Sequence, residues 1–168
     1  MISRLAALAQ QQWPGFLVLA VACTGLLVVS LWLSVIDLRS RLLPNRIVYP
    51  SVLIAVVLLE LVALISGDGE AVLRVPLAAM VLSAAYLLLR LLSPQGMGWG
   101  DVKLALLLGS YLGLLGWLEL LYSVLATFLL GGSYALYLVL SHRGNRKSGI
   151  AFGPFMFAGT FAALMLPV

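Results

Sequence analysis

Apolar residues run through this chain in long unbroken stretches, not in the alternating or every-third-and-fourth patterns of half-buried strands and helices. Six stretches reach or approach the roughly 20 residues that a membrane-crossing helix needs. They are Phe16–Ile36, Ile47–Ser66, Val75–Leu92, Val102–Leu118, Leu120–Leu140 and Ile150–Pro167. Polar residues gather between them, and the longest polar connection, Ser141–Gly149, is too short for a separate soluble unit. The pattern predicts an all-α polytopic membrane protein, a six-transmembrane-helix bundle forming one membrane-embedded domain over 1–168. Only Gly113–Glu119 is free to turn the chain between the fourth and fifth helices. Arg4 and a short polar stretch precede the first run, and Leu19-Ala20-Val21-Ala22-Cys23 faintly resembles a lipoprotein cleavage site. The run continues through Thr24–Ile36, too long for a signal core, and reads as the first membrane helix.

Composition strengthens this picture. Hydrophobic residues make up 63% of the chain and charged residues 10%, against about 45–50% and about 25% in a soluble domain. With a mean hydropathy of +1.13, a soluble enzyme, a disordered chain and a fibrous repeat are all excluded. The single cysteine, Cys23, rules out a disulfide framework or a cysteine-based zinc cluster within the chain and reads as a small buried apolar residue. A net charge of +4, scattered along the sequence, does not suggest nucleic acid.

Where the basic residues fall is more informative. Of ten Lys and Arg, Arg39, Arg41, Arg46, Arg90, Lys103, Arg143, Arg146 and Lys147 share one side of the alternating bundle. Arg4 and Arg74 take the other, with Asp68 and Glu70 in an external Gly-flanked turn. The basic side is expected to be cytoplasmic, which puts both termini outside. Trp13, Trp32, Trp99 and Trp117 lie near predicted span ends, where interfacial anchors concentrate.

Six carboxylates exist. Asp68 and Glu70 read as solvated turn residues, Glu119 as part of the outer turn, and Glu60 as a side chain that snorkels or pairs within the bundle. Asp37 and Asp101 differ. Both fall at predicted helix ends on the basic side, and an acid at membrane depth is costly enough to mark function. Around Asp101 runs Gly96-Met97-Gly98-Trp99-Gly100-Asp101-Val102-Lys103-Leu104, whose alternate glycines predict an irregular backbone open to close approach by another chain. Around Asp37 runs Asp37-Leu38-Arg39-Ser40-Arg41-Leu42-Leu43-Pro44-Asn45-Arg46, in which Pro44 ends a helical run and Asn45 can cap the next helix. Either segment alone fits a loop with a capping aspartate; the two together point to paired chemistry.

Asp37-x-Arg39 with Leu43-Pro44-Asn45, combined with Gly98-Trp99-Gly100-Asp101-Val102-Lys103-Leu104, resembles the type IV prepilin peptidases, membrane aspartyl proteases of the GxGD class. The resemblance extends to Phe152-Gly153-Pro154-Phe155, where the family often carries Pro-x-Gly-Pro; Ala151 stands in the first proline's place, and Trp99 is bulkier than the small residue common there. It implies a six-helix protease core with Asp37 and Asp101 catalytic. Arg39, Pro44, Asn45, Gly98, Gly100, Lys103, Gly153 and Pro154 become motif or substrate-contacting positions. It further implies removal of a short basic leader from a membrane-inserted prepilin-like substrate at the cytoplasmic face, in a pilus or secretion system. Larger members add methylation and paired CxxC motifs, for which this chain has neither length nor cysteines, so a peptidase without the methyltransferase half is expected.

Two carboxyls sharing one proton suffice for hydrolysis, because close like charges cannot both ionise comfortably; no metal and no cofactor is expected. At the start of a helix, Asp101 is favoured as the anionic base, and Asp37, near the end of another, as the acid. Lys103 can contact a leader or lipid phosphate, or anchor topology. Arg39 and Arg41 can orient Asp37 or hold headgroups, and His142 reads as a solvated loop residue. Gly109–Gly113 and Gly149–Gly153 have the spacing of close helix packing. The competing class is a small transporter or proton-conducting protein using the aspartates as relays; it predicts acids near the midplane and repeated discontinuous helices, and no internal repeat is evident. A catalytically silent assembly subunit is the other alternative.

Overall fold

Residues 1–40, 43–93, 97–141 and 151–165 are described by a computed structural model, and they form seven helices: α1 (Ile2–Gln11), α2 (Trp13–Ser40), α3 (Asn45–Ile65), α4 (Gly69–Leu92), α5 (Trp99–Leu115), α6 (Trp117–Leu140) and α7 (Gly153–Met165). The expectations for Arg41, Gly96, His142, Arg143, Arg146, Lys147 and Gly149 lie outside the described residues. Helices α2 to α7 correspond to the six predicted stretches. α2, α3, α4 and α6 are long and apolar enough to cross a membrane, whereas α5 has 17 residues and α7 is described over 13.

The short α5 is the centre of the bundle. From Val102 to Leu115 every residue is buried except the half-buried Lys103 and Leu106. A helix that is apolar all round belongs inside a core, and α5 is enclosed by α3, α4, α6 and α7. Its closest neighbour is α4. A Cβ on Gly109 would stand 2.7 Å from the Ala78 carbonyl oxygen, and one on Gly113 2.7 Å from that of Arg74. This glycine pair therefore packs helices, as its spacing predicts. The outer helices carry exposed large apolar residues such as Leu31, Leu53, Leu73 and Leu129, the surface that a bilayer covers.

α1 is an element the apolar pattern did not predict. It is amphipathic, burying Met1 and Leu8 against the end of the bundle, and it brings Arg4 to Asp68. The α3–α4 turn at that end is tightly specified. Gly67 has φ +69, Asp68 N–H donates to the Ala63 carbonyl (3.0 Å) and Gly67 N–H to that of Leu64 (3.2 Å), the pairing that satisfies a helix C-terminus around a left-handed residue. The Asp68 side chain then caps α4, accepting from Ala71 N–H at 3.0 Å.

Asp68 is accordingly not a solvated turn residue. Arg4 donates to it at 2.6 Å, and Arg74 lies 3.7 Å away. Burial pushes its carboxyl up, but the Arg4 and Ala71 hydrogen bonds and the two guanidinium charges prevail and hold it below the usual carboxylate range. Because the folded-state value lies below the unfolded-state value of about 3.9, this contribution is present above that value and is lost as pH falls through the folded one. Asp68→Asn keeps a good cap while removing the charge. It should cost about 0.5–1 kcal/mol near neutral pH and flatten the acid limb of thermal stability. An Asp68→Asn protein with an unchanged acid limb would show that the ion pair is not its source.

Candidate active site

Antiparallel packing gathers the end of α2 and the starts of α3, α5 and α7 at the opposite end of the bundle. Asp37 lies one turn before the end of α2, which continues to Ser40 because nothing in Leu38-Arg39-Ser40 breaks a helix. Its side chain is buried, 5% exposed, and Oδ2 accepts the Gly153 N–H at 3.0 Å. Gly153 is the first residue of α7. A Cβ there would stand 2.7 Å from Oδ2, so only glycine lets this helix end close on the carboxyl. Pro154 follows where a first-turn helix position needs no N–H.

Asp101 is the third residue of α5 and is 6% exposed. Its Oδ2 accepts the N–H of Gly98, the N-cap, at 2.9 Å. The capping role that its position alone suggests is thus real and coexists with burial beside a second acid. Asp37 and Asp101 lie within electrostatic range of each other. Both carboxyls receive a backbone N–H at a helix N-terminus, which removes the helix-end asymmetry expected to separate base from acid.

The flanking motifs interlock. Leu43 packs on Gly100, where a Cβ would stand 2.9 Å from Leu43 Cδ1 and 3.0 Å from its Cβ. Lys103 Nζ donates to Asn45 Oδ1 at 2.7 Å and lies over the Tyr49 ring. Two expectations are corrected here. Asn45 does not cap α3: Pro44 occupies the N-cap position with no side-chain cap bond, and the Asn45 oxygen is taken by Lys103. Gly100 is not irregular either, since it sits inside the first turn of α5. Its glycine is required by Leu43, whereas Gly98 has an extended backbone (φ −79, ψ 157) open to any residue. Arg39 is exposed in the last turn of α2, where a cation complements the helix end.

Gly100→Ala should therefore lower thermal stability and cleavage together by displacing Leu43, and Leu43→Ala should restore both by returning the space. Unfolding temperatures of the two single variants and the double variant check this. A double variant no better than Gly100→Ala would refute the contact as the cause.

Glu119, expected in an outer turn, is buried in the first turn of α6, 8% exposed. Glu60 is half-buried within α3. Two residues near the site were not among the sequence-predicted site residues, although Arg90 was counted with the basic side. Arg90, in the last turn of α4, donates to the Met97 carbonyl and stacks on Trp99. Tyr86, one turn earlier and 2% exposed, lies beside Phe128 and Phe152 and within electrostatic range of Asp101. Their four-residue spacing, which puts them one turn apart on the same face of a helix, was the available signal. Among the described residues, no three His, Cys, Asp or Glu side chains converge as a metal-ligand set.

A multi-pass membrane protein with two buried carboxyls at one end of its bundle is the class that fold and site define. Residues 24–136 match the type IV leader peptidase family, and the chain belongs to that family. It is 31% identical over 160 residues to the prepilin leader peptidase/N-methyltransferase of Aeromonas hydrophila, covering 95% of this chain and 53% of that protein. The protein of the same name from Dickeya chrysanthemi is 33% identical over 157 residues, covering 92% and 53%. That from Pseudomonas putida is 31% identical over 134 residues, covering 79% and 45%. The chain spans about half the length of these curated relatives. No solved structure matches it.

Proposed function

We propose that this chain is a membrane aspartic endopeptidase that removes the leader from prepilin-like precursors, with Asp37 and Asp101 as its hydrolytic pair. The observation that carries the reading is the arrangement of two buried carboxyls, each held by a backbone N–H and each in the other's electrostatic range. One carboxylate takes a proton from a water entering with the substrate, and the hydroxide oxygen bonds to the scissile carbonyl carbon. The protonated partner gives its proton to the carbonyl oxygen. Collapse of the tetrahedral diol then breaks the C–N bond, and the amine leaves with the proton first taken from water. One hydroxyl proton returns to the carboxylate that acted as acid, leaving a free carboxyl product and the pair as it began. Pairs of acids share work in this way when proximity keeps both from ionising together.

The proposal includes six membrane crossings, with α5 and α7 as the short members shielded by longer helices. It places one domain over 1–168 and the active end at the cytoplasmic face. Arg39, Arg46, Arg90 and Lys103 gather at that end, whereas Arg4 and Arg74 at the other are offset by Asp68 and Glu70, a bias that fits the positive-inside rule. A scissile bond at this depth calls for a membrane-inserted substrate cut just before its apolar helix. Arg39, Pro44, Asn45, Gly98, Gly100, Lys103, Gly153 and Pro154 build the rim that such a substrate meets. No methyl transfer is assigned to these residues. A relay role in transport is less favoured, because both acids lie at one end of the bundle.

The test is cleavage of a full-length prepilin-like precursor by the detergent-solubilised chain, followed by gel shift and by sequencing of the new N-terminus. A product shorter by the leader is expected from the unaltered chain. No product, or the same product after both carboxyls are replaced, would overturn the proposal.

A further inference from the structure

Arg90 stands outside the carboxyl pair, yet three of its interactions converge on the turn that carries Asp101. Nη1 donates to the Met97 carbonyl oxygen. The guanidinium lies over the Trp99 ring, 4.3 Å from its centroid, and its charge acts on Asp101. The first contact is the decisive one, because the Met97 carbonyl and the Gly98 N–H are two ends of one rigid peptide plane. That same N–H is the donor to Asp101 Oδ2 at 2.9 Å. A trans peptide points its C=O and N–H in opposite directions, so Arg90 holds one end of the unit whose other end holds the carboxyl. Donation into the carbonyl also polarises the amide and makes its N–H a stronger donor. Gly98 itself supplies little restraint, since a residue without Cβ leaves the plane free to rotate.

We infer that Arg90 is a positioning residue that acts on Asp101 through the Met97–Gly98 peptide plane, with the Trp99 ring holding the guanidinium in place. The inference rests on Asp101 as a hydrolytic carboxyl for its functional consequence, but the relay itself is measurable without substrate. It also gives Trp99 a use. The residue that departs from the small side chain common in the family pattern is 55% exposed, and one face of its ring is a cation–π platform, an interaction that favours the flat guanidinium of arginine.

The experiment uses the full chain in detergent, with Arg90→Ala, Arg90→Lys and Arg90→Gln. Amide hydrogen exchange read by mass spectrometry should quicken at Gly98 in Arg90→Ala, on the order of tenfold, while the buried centre of α5 stays protected. Cleavage should show kcat lower by about 10- to 100-fold with KM near the unaltered value, the pattern of a misplaced reacting group. Added guanidinium ion should recover part of kcat in Arg90→Ala, which a packing role would not produce. Arg90→Lys should fall between the unaltered chain and Arg90→Ala, since an ammonium can donate but cannot lie flat on the ring. If Arg90→Ala fails to accumulate, Arg90→Gln carries the same readouts.

Unchanged exchange at Gly98, or exchange quickened throughout α5, would overturn the inference. So would a loss of kcat that guanidinium cannot recover. The two readings fail separately. An unaltered chain that cuts no precursor, with exchange behaving as expected, sinks the peptidase reading and leaves the relay. Cleavage abolished by Asp101→Asn but indifferent to Arg90 sinks the relay alone.

Discussion

Replacing either Asp37 or Asp101 by asparagine should reduce leader cleavage to background, a loss of about 10²–10⁴-fold for each group, while the bundle stays folded. Asparagine keeps the shape of the side chain and an oxygen able to accept from Gly153 N–H or Gly98 N–H, so neither anchoring bond need be lost. It cannot ionise, and it cannot pass a proton. Alanine is the poorer probe, because it leaves a backbone donor unpaired in a buried site, at a cost of about 1–3 kcal/mol. The two asparagine variants should also be non-additive. If the carboxyls work as one proton-sharing unit, the double variant loses no more than either single one. Unfolding temperature in detergent serves as the folding control, and sequencing of the product confirms the bond cut. A single variant that keeps more than about a tenth of the activity would sink the paired mechanism, because general acid–base contributions are larger than that.

The membrane helices were legible because their physics is local. An uninterrupted apolar run leaves few alternatives, and α2, α3 and α6 end within about four residues of their predicted limits, the scatter expected of such boundaries. α1 was not legible, because Ile2–Gln11 mixes Ser3, Arg4 and glutamines with its apolar residues and becomes a helix by docking Met1 and Leu8 on the bundle. The carboxyl pair could be named from sequence because acids at membrane depth are rare and these two share a side of the bundle. Their partners could not. The Gly153 N–H that holds Asp37 comes from α7, at the far end of the chain, and no spacing rule reports such a contact. Asn45 misled for a related reason. Its type suits an N-cap, but Lys103 from another helix claims its oxygen. The glycines before Asp101 split in the same way, since Gly100 answers to Leu43 and not to its own backbone, a tertiary demand invisible in the segment itself.

Filling Gly113 should be among the most damaging changes outside the carboxyl pair, because α4 and the central α5 meet there backbone to backbone. A Cβ would stand 2.7 Å from the Arg74 carbonyl oxygen, 2.8 Å from Ala78 Cβ and 2.9 Å from Val75 Cα. None of these atoms can move aside by changing rotamer, so α4 and α5 must separate. Separation breaks a second link as well. Arg74 Nε donates to the Gly113 carbonyl at 2.7 Å and Nη2 to that of Leu114 at 3.4 Å, satisfying two of the carbonyls that a helix C-terminus leaves open. Overpacking of this kind costs about 1–3 kcal/mol for a modest insertion, and loss of the Arg74 clamp adds to it. Gly113→Ala should lower the unfolding temperature clearly, and Gly113→Leu should prevent recovery of folded protein. Because α5 carries Asp101 at its other end, any Gly113→Ala protein that does fold should also cleave poorly. The control is Gly132→Leu in α6, where a new Cβ meets nothing within 4 Å; that protein should fold and cleave as the unaltered chain does. Equal losses at Gly113 and Gly132 would mean that glycine flexibility, and not the α4–α5 approach, sets the stability of this bundle.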